Sequence, residues 1–142
     1  MNIENAKRAI AVMERVANYD PSQFYMPVWV HSRSGPRPET EEEALQCGTA
    51  ACFLGWLALA PDIPEIFFDP AGNIRGENHG WYEWALREFL GISHYDAETL
   101  CNVAASDDDD FVYLPGTDIY AGSATTQDII TSLQYLISEA QK

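Results

Sequence analysis

Between Glu43 and Asp62 the chain carries no charged residue, and residues 47–60 (Cys-Gly-Thr-Ala-Ala-Cys-Phe-Leu-Gly-Trp-Leu-Ala-Leu-Ala) form its long apolar run, closed by Pro61. A segment without a polar side cannot rest on a surface. As a helix it is apolar all round and must have other elements packed about it. Thr49 is a good N-cap, Gly48 permits a tight entry, and Pro61 cannot continue a helix. The run therefore predicts a central helix over residues 49–60, about three turns long. It falls short of the about 20 apolar residues that span a bilayer.

The remaining composition bounds what can surround such a helix. A length of 142 residues suits one globular domain, residues 1–142, with a substantial core. Apolar residues make up 46%, with four Trp, seven Tyr and six Phe, which excludes a disordered chain. Residues 2–17 read as an amphipathic helix without the apolar centre of a secretion signal. With three cysteines, this predicts a cytoplasmic protein with free thiols. The net charge is −14, from 22 acidic against eight basic side chains. Direct nucleic-acid binding, which needs clustered Lys and Arg, is excluded as an expectation, and so is a membrane span. The acidity serves either solubility alone or attraction to a basic surface of another protein.

The pattern along the chain predicts a mainly α, α+β fold of about five helices and one small β-hairpin. Ala6, Ile10, Met13, Val16 and Ala17 line one side of a first helix capped by Asn2 and ended by Asp20-Pro21, where a single turn can follow. Phe24-Tyr-Met-Pro-Val-Trp-Val30 is apolar, but Pro27 confines it to an edge strand or extended segment. Residues 31–46 read as an exposed loop, closing with a helical turn at 40–45. Residues 65–76 predict the hairpin, with a type I turn and bulge at Asp69-Pro70-Ala71-Gly72. Asn78 or His79 opens a helix through Leu90, with Trp81, Trp84, Ala85, Glu88 and Phe89 on its aromatic side and Gly91 ending it. Ser93 or Asp96 caps a shorter helix through residue 103. Residues 104–124 read as an exposed loop, and a last helix runs from Thr125 or Thr126 to about residue 140.

Several groups could carry chemistry. Cys47 beside a helix start would have a lowered pKa and raised reactivity. Gln46-Cys47-Gly48 before a buried apolar helix resembles the nucleophile segment of papain-like cysteine peptidases. That likeness implies Cys47 as nucleophile, Gln46 as oxyanion donor and His79 or His94 as base. The pattern departs from those enzymes, in which the Gln precedes the Cys by several positions and the His lies on a strand. The amides of Gly48, Thr49 and Ala50, with Trp56 as a wall, form a candidate anion or nucleotide-like ligand site. The Cys47/Cys52 spacing is not that of a zinc knuckle, and no metal is expected. Asp107, Asp108, Asp109 and Asp110 fail as an EF-hand, since Val112 and Asp118 stand at the sixth and twelfth positions where Gly and Glu belong. Those aspartates, with Glu39, Glu41, Glu42 and Glu43, are the candidate acidic binding residues.

Taken together, the first amphipathic helix, Phe24/Met26/Trp29, Cys47-Gly48-Thr49-x-Ala51-Cys52-x-x-Gly55-Trp56, Leu90-Gly91-Ile92-Ser93 and the Thr-capped last helix resemble a group of small bacteriophage and bacterial proteins. Their common mark is the Cys-Gly-Thr-x-Ala-Cys-x-x-Gly-Trp motif. The resemblance implies a phage-type origin and a site of action in the host cytoplasm; it implies no mechanism and no cofactor. Residues 104–124, with their Asp run, depart from the pattern. The function expected is that of an acidic accessory protein that binds a host or phage protein, as an inhibitor or nucleic-acid mimic. A cysteine hydrolase and a small-ligand binder stand as the alternatives.

Overall fold

The computed structural model describes residues 1–26, 30–31, 39–46, 50–78, 80–101 and 113–142, with the backbone alone at 30, 31 and 50. The fold is mainly helical with a small antiparallel hairpin, as expected, and carries a second two-stranded ladder beyond that expectation. Among the described residues there are six α-helices: α1 (Ile3–Tyr19), α2 (Glu41–Gln46), α3 (Phe53–Leu59), α4 (Tyr82–Leu90), α5 (His94–Leu100) and α6 (Thr126–Ala140). Two two-stranded ladders join β1 (Val30–His31) to β2 (Ala50–Ala51), and β3 (Ile66–Phe68) to β4 (Ile74–Gly76).

The outer helices begin where local chemistry says they should. Asn2 Oδ1 accepts the Asn5 N–H at 3.0 Å and opens α1. Ser93 Oγ accepts the Asp96 N–H at the start of α5. Thr125 and Asp128 close a reciprocal capping box on α6. α1 buries Ala6, Ala9, Val12, Met13 and Val16, and α6 packs along it with Ile129, Ile130, Leu133 and Leu136.

The central helix is real but shorter than its apolar run. α3 starts at Phe53, not residue 49, and its N-cap is Cys52, whose Sγ accepts the Gly55 N–H at 3.4 Å. Thr49, the expected cap, and Gly48 lie outside the described residues. Ala50 and Ala51 favour helix intrinsically. Instead they pair with Val30 and His31, and the Ala51 carbonyl accepts the Tyr25 N–H at 2.9 Å. Long-range pairing overrides propensity here. Phe53, Leu54, Trp56 and Leu57 are all fully buried, and α3 touches α1, α2, β2, β3 and β4. Burying each such side chain contributes about 2–3 kcal/mol.

The hairpin has the expected turn. Gly72 takes φ 85°, and Asp69 Oδ1 accepts the N–H groups of Ala71 and Asn73. The helix after it starts later than Asn78 or His79. Trp81 bridges Arg75 as an extra strand residue, and the Gly76 N–H donates to the Gly80 carbonyl, so α4 cannot begin before Tyr82. This also changes its faces: Ala85, Leu86, Phe89 and Leu90 are buried, while Trp81 and Trp84 are half exposed. Gly76 lies against α4 so closely that a Cβ there would sit 2.8 Å from Ala85 Cβ. Gly91 ends α4 in the left-handed region at φ 64°. α5 stops at Leu100 with Cys101 as its cap.

Of residues 104–124, those from 113 on are built into the domain rather than loose. Leu114 and Ala121 are buried, Tyr113 bridges Tyr120, and the Ser132 hydroxyl donates to the Pro115 carbonyl at 2.8 Å. Among the described residues no helix is long and apolar enough to cross a membrane.

Candidate functional site

The charged side of α1 organises the region where the sequence placed its acidic binding residues. Arg8 and Arg15 stand two turns apart. Arg8 grips Glu65 with both terminal nitrogens, at 2.6 and 2.8 Å, and also donates to Asn5 Oδ1 and the Asp62 carbonyl. Arg15 holds both oxygens of Glu41 at 3.0 Å and reaches Asp62 Oδ1 at 2.7 Å. These forks match the planar guanidinium to planar carboxylates. They fasten α2 and the segment between α3 and β3 to α1.

The titration of the partners reflects this. The hydrogen bond and charge of Arg8 hold the Glu65 carboxyl below its ordinary value despite partial burial. Burial would raise the Asp62 carboxyl, but the hydrogen bond from Arg15 and the charges of Arg15 and Arg8 together bring it below its ordinary value.

Glu41 therefore departs from the exposed acidic set. It is 8% exposed and acts as an anchor for α2, because Arg15 neutralises it and lets it be buried. Its neighbours behave otherwise. Glu39, Glu42 and Glu43 are exposed, and among the described residues no cation pairs with them. The Thr40 hydroxyl accepts the Glu43 N–H, and the Thr40 carbonyl accepts the Ala44 N–H, which starts α2 with Glu42 and Glu43 directed away from the core. Asp107, Asp108, Asp109 and Asp110 lie outside the described residues.

A groove of about 620 Å³ opens where α2 meets the C-terminal end of α1 and the end of α3. Tyr19, Leu45 and Pro61 give it apolar walls, and Thr40, Glu41, Glu42 and Gln46 supply polar groups. Tyr19 is 56% exposed, so its ring is available. The sequence offered no sign of this groove. Tyr19 read only as the end of a helix, and its proximity to Leu45 and Pro61 is a product of tertiary packing.

The residues of the alternative readings are scattered. Cys47, Gly48, Thr49 and His79 lie outside the described residues. Gln46 donates from Nε2 to Glu42 Oε1 at 3.4 Å. His94 lies on α5, where its Nε2 meets Glu98 Oε1 at 2.8 Å and its ring leans on Trp84, 4.8 Å between centroids. The two described thiols are buried and unsuited to nucleophilic work: burial pushes Cys52 up to about 11 and Cys101 well above its ordinary value. Trp56 is fully buried and donates from Nε1 to the Gln23 carbonyl at 3.0 Å, so its ring offers a ligand no open side. The aromatics that do reach the surface include Phe67, Trp81 and Trp84; the Arg75 guanidinium stacks 3.7 Å over Trp81, and Arg87 covers Trp84. Among the described residues no three His, Cys, Asp or Glu side chains converge as metal ligands would.

No protein-family model, no curated protein and no solved structure matches this chain.

Proposed function

We propose that this is an accessory protein of the phage type that works by binding, with Glu39, Glu42 and Glu43 presented to a basic surface of a host or phage protein. One observation carries the reading: of four glutamates within five positions, one is neutralised and buried while three stand outward without a described cation. On a chain of net charge −14, that outward set has no ion pair among the described residues and is open to an incoming cation. An array of carboxylates can occupy a surface built to receive phosphates, and it speeds encounter with such a partner.

Immobilised protein exposed to host lysate at about 0.05 M salt should retain basic proteins, and these should elute steeply as salt rises to about 0.5 M. Retention independent of salt would contradict electrostatic docking.

A further inference from the structure

We infer that the groove bordered by Tyr19, Leu45, Pro61 and Glu42 receives an arginine side chain from the basic protein partner. This rests on the binding reading above and assigns its anchoring point. Three properties of the groove select the occupant. Its volume of about 620 Å³ falls in the range of ligand-binding clefts and admits a large side chain together with the backbone that carries it. Its walls combine a half-exposed phenol ring and two aliphatic surfaces with carboxylates, which suits a side chain that has an apolar stem and a charged tip. Its charge is unbalanced: the Arg15 guanidinium that pairs with the lining residue Glu41 is already shared with Asp62, while Glu42 is left without an ion pair among the described residues.

Arginine fits these features better than lysine. A guanidinium stacks flat on an aromatic ring and forks onto a carboxylate, whereas an ammonium is a compact and strongly hydrated charge. In the complex the guanidinium stacks on Tyr19 and donates to Glu42. Gln46 holds Glu42 through its Nε2, and its own carbonyl oxygen has no donor among the described residues and can serve as a further acceptor. The stem lies against Leu45 and Pro61. Glu39 and Glu43 remain outside the groove and attract neighbouring basic residues.

The test uses the whole protein and a short capped peptide, Gly-Gly-Arg-Gly-Gly, beside its counterparts with citrulline or lysine in place of arginine. Amide chemical shifts of the isotope-labelled protein should move saturably at Tyr19 and at residues 40–46, with a dissociation constant of about 1 mM. Citrulline, a neutral near-isostere, should bind at least about tenfold more weakly. Tyr19→Ala and Glu42→Gln, both at exposed positions, should each weaken the arginine peptide about fivefold or more while the rest of the spectrum stays unchanged. Shifts spread over the acidic surface without saturation, equal binding of citrulline, a preference for lysine, or no shift at all would each overturn the arginine site. None of these results bears on salt-dependent retention of basic proteins, which judges the broader binding reading separately.

Discussion

Glu41 and Glu42 are adjacent in sequence and opposite in role. Glu41 faces α1, is nearly buried, and is gripped by Arg15 through two hydrogen bonds. Glu42 faces solvent and, among the described residues, its carboxylate meets the amide of Gln46. The same contrast divides the whole region. On the α1 side, Arg8 and Arg15 are saturated by Glu41, Asp62 and Glu65, so charge there fixes the positions of α2 and the segment before β3. On the outward side of α2, carboxylates stand without cations among the described residues. Charge in the first place is architectural, and its loss should be felt in folding. Charge in the second place is available to a partner, and its loss should be felt only in binding.

The largest effect should come from Arg15→Met, which preserves an apolar stem but strands Glu41 in a buried position. Leaving one member of such a pair uncompensated costs about 3 kcal/mol, to be read from the urea midpoint. Adding Glu41→Leu to the same variant should recover most of that loss, since a well-packed apolar side chain replaces the orphaned charge. A loss in Arg15→Met no greater than that from altering the outer glutamates would erase the distinction.

Next in size is the buried cap of α3. Cys52→Ala removes the acceptor of the Gly55 N–H and should cost about 1–2 kcal/mol in the same measurement. With their pKa values raised by burial, Cys52 and Cys101 should both resist alkylation in the native protein near pH 8 and react only on unfolding, as mass-resolved labelling would show. Rapid native labelling of either would contradict their place in the core.

Acid should loosen the architectural side at a definable pH. Asp62 and Glu65 titrate lower in the folded protein than in the unfolded chain, where such groups sit near about 3.9 and about 4.3. The folded state thus binds fewer protons than the unfolded one. Their contribution is complete above about pH 5 and is lost as pH falls through about 4 toward their folded values. Thermal midpoints should therefore fall below about pH 5, and less steeply in the Asp62→Asn, Glu65→Gln double variant. The smallest effect on folding belongs to E39Q/E42Q/E43Q, within about 0.5 kcal/mol of the parent protein.

How much of this could be read from residues alone follows the range of the forces involved. Asn2, Ser93, Thr125 with Asp128, and Gly91 act on backbone groups within a few positions, and the ends they set were legible. So was the turn at Asp69 to Gly72. The start of α3 was not, because Ala50 and Ala51 are drawn into a ladder with Val30 and His31, and no local property of alanine announces that. Trp81 likewise read as helical until its bridge to Arg75 held it extended. The four glutamates looked equivalent in sequence. Their division depends on Arg15, which lies 26 positions from Glu41 and reaches it only once α1 and α2 are packed. Tyr19, Leu45 and Pro61 likewise become one groove only in the fold.

The most direct test of the separation between structural and available charge is a single comparison of E39Q/E42Q/E43Q with the parent protein. Retention of basic lysate proteins at about 0.05 M salt would be measured on both. If the outward carboxylates are the charge available to a partner, retention collapses in the variant while its urea midpoint stays where it was. Undiminished retention by a folded variant would contradict that role, and would place any binding surface elsewhere on the molecule.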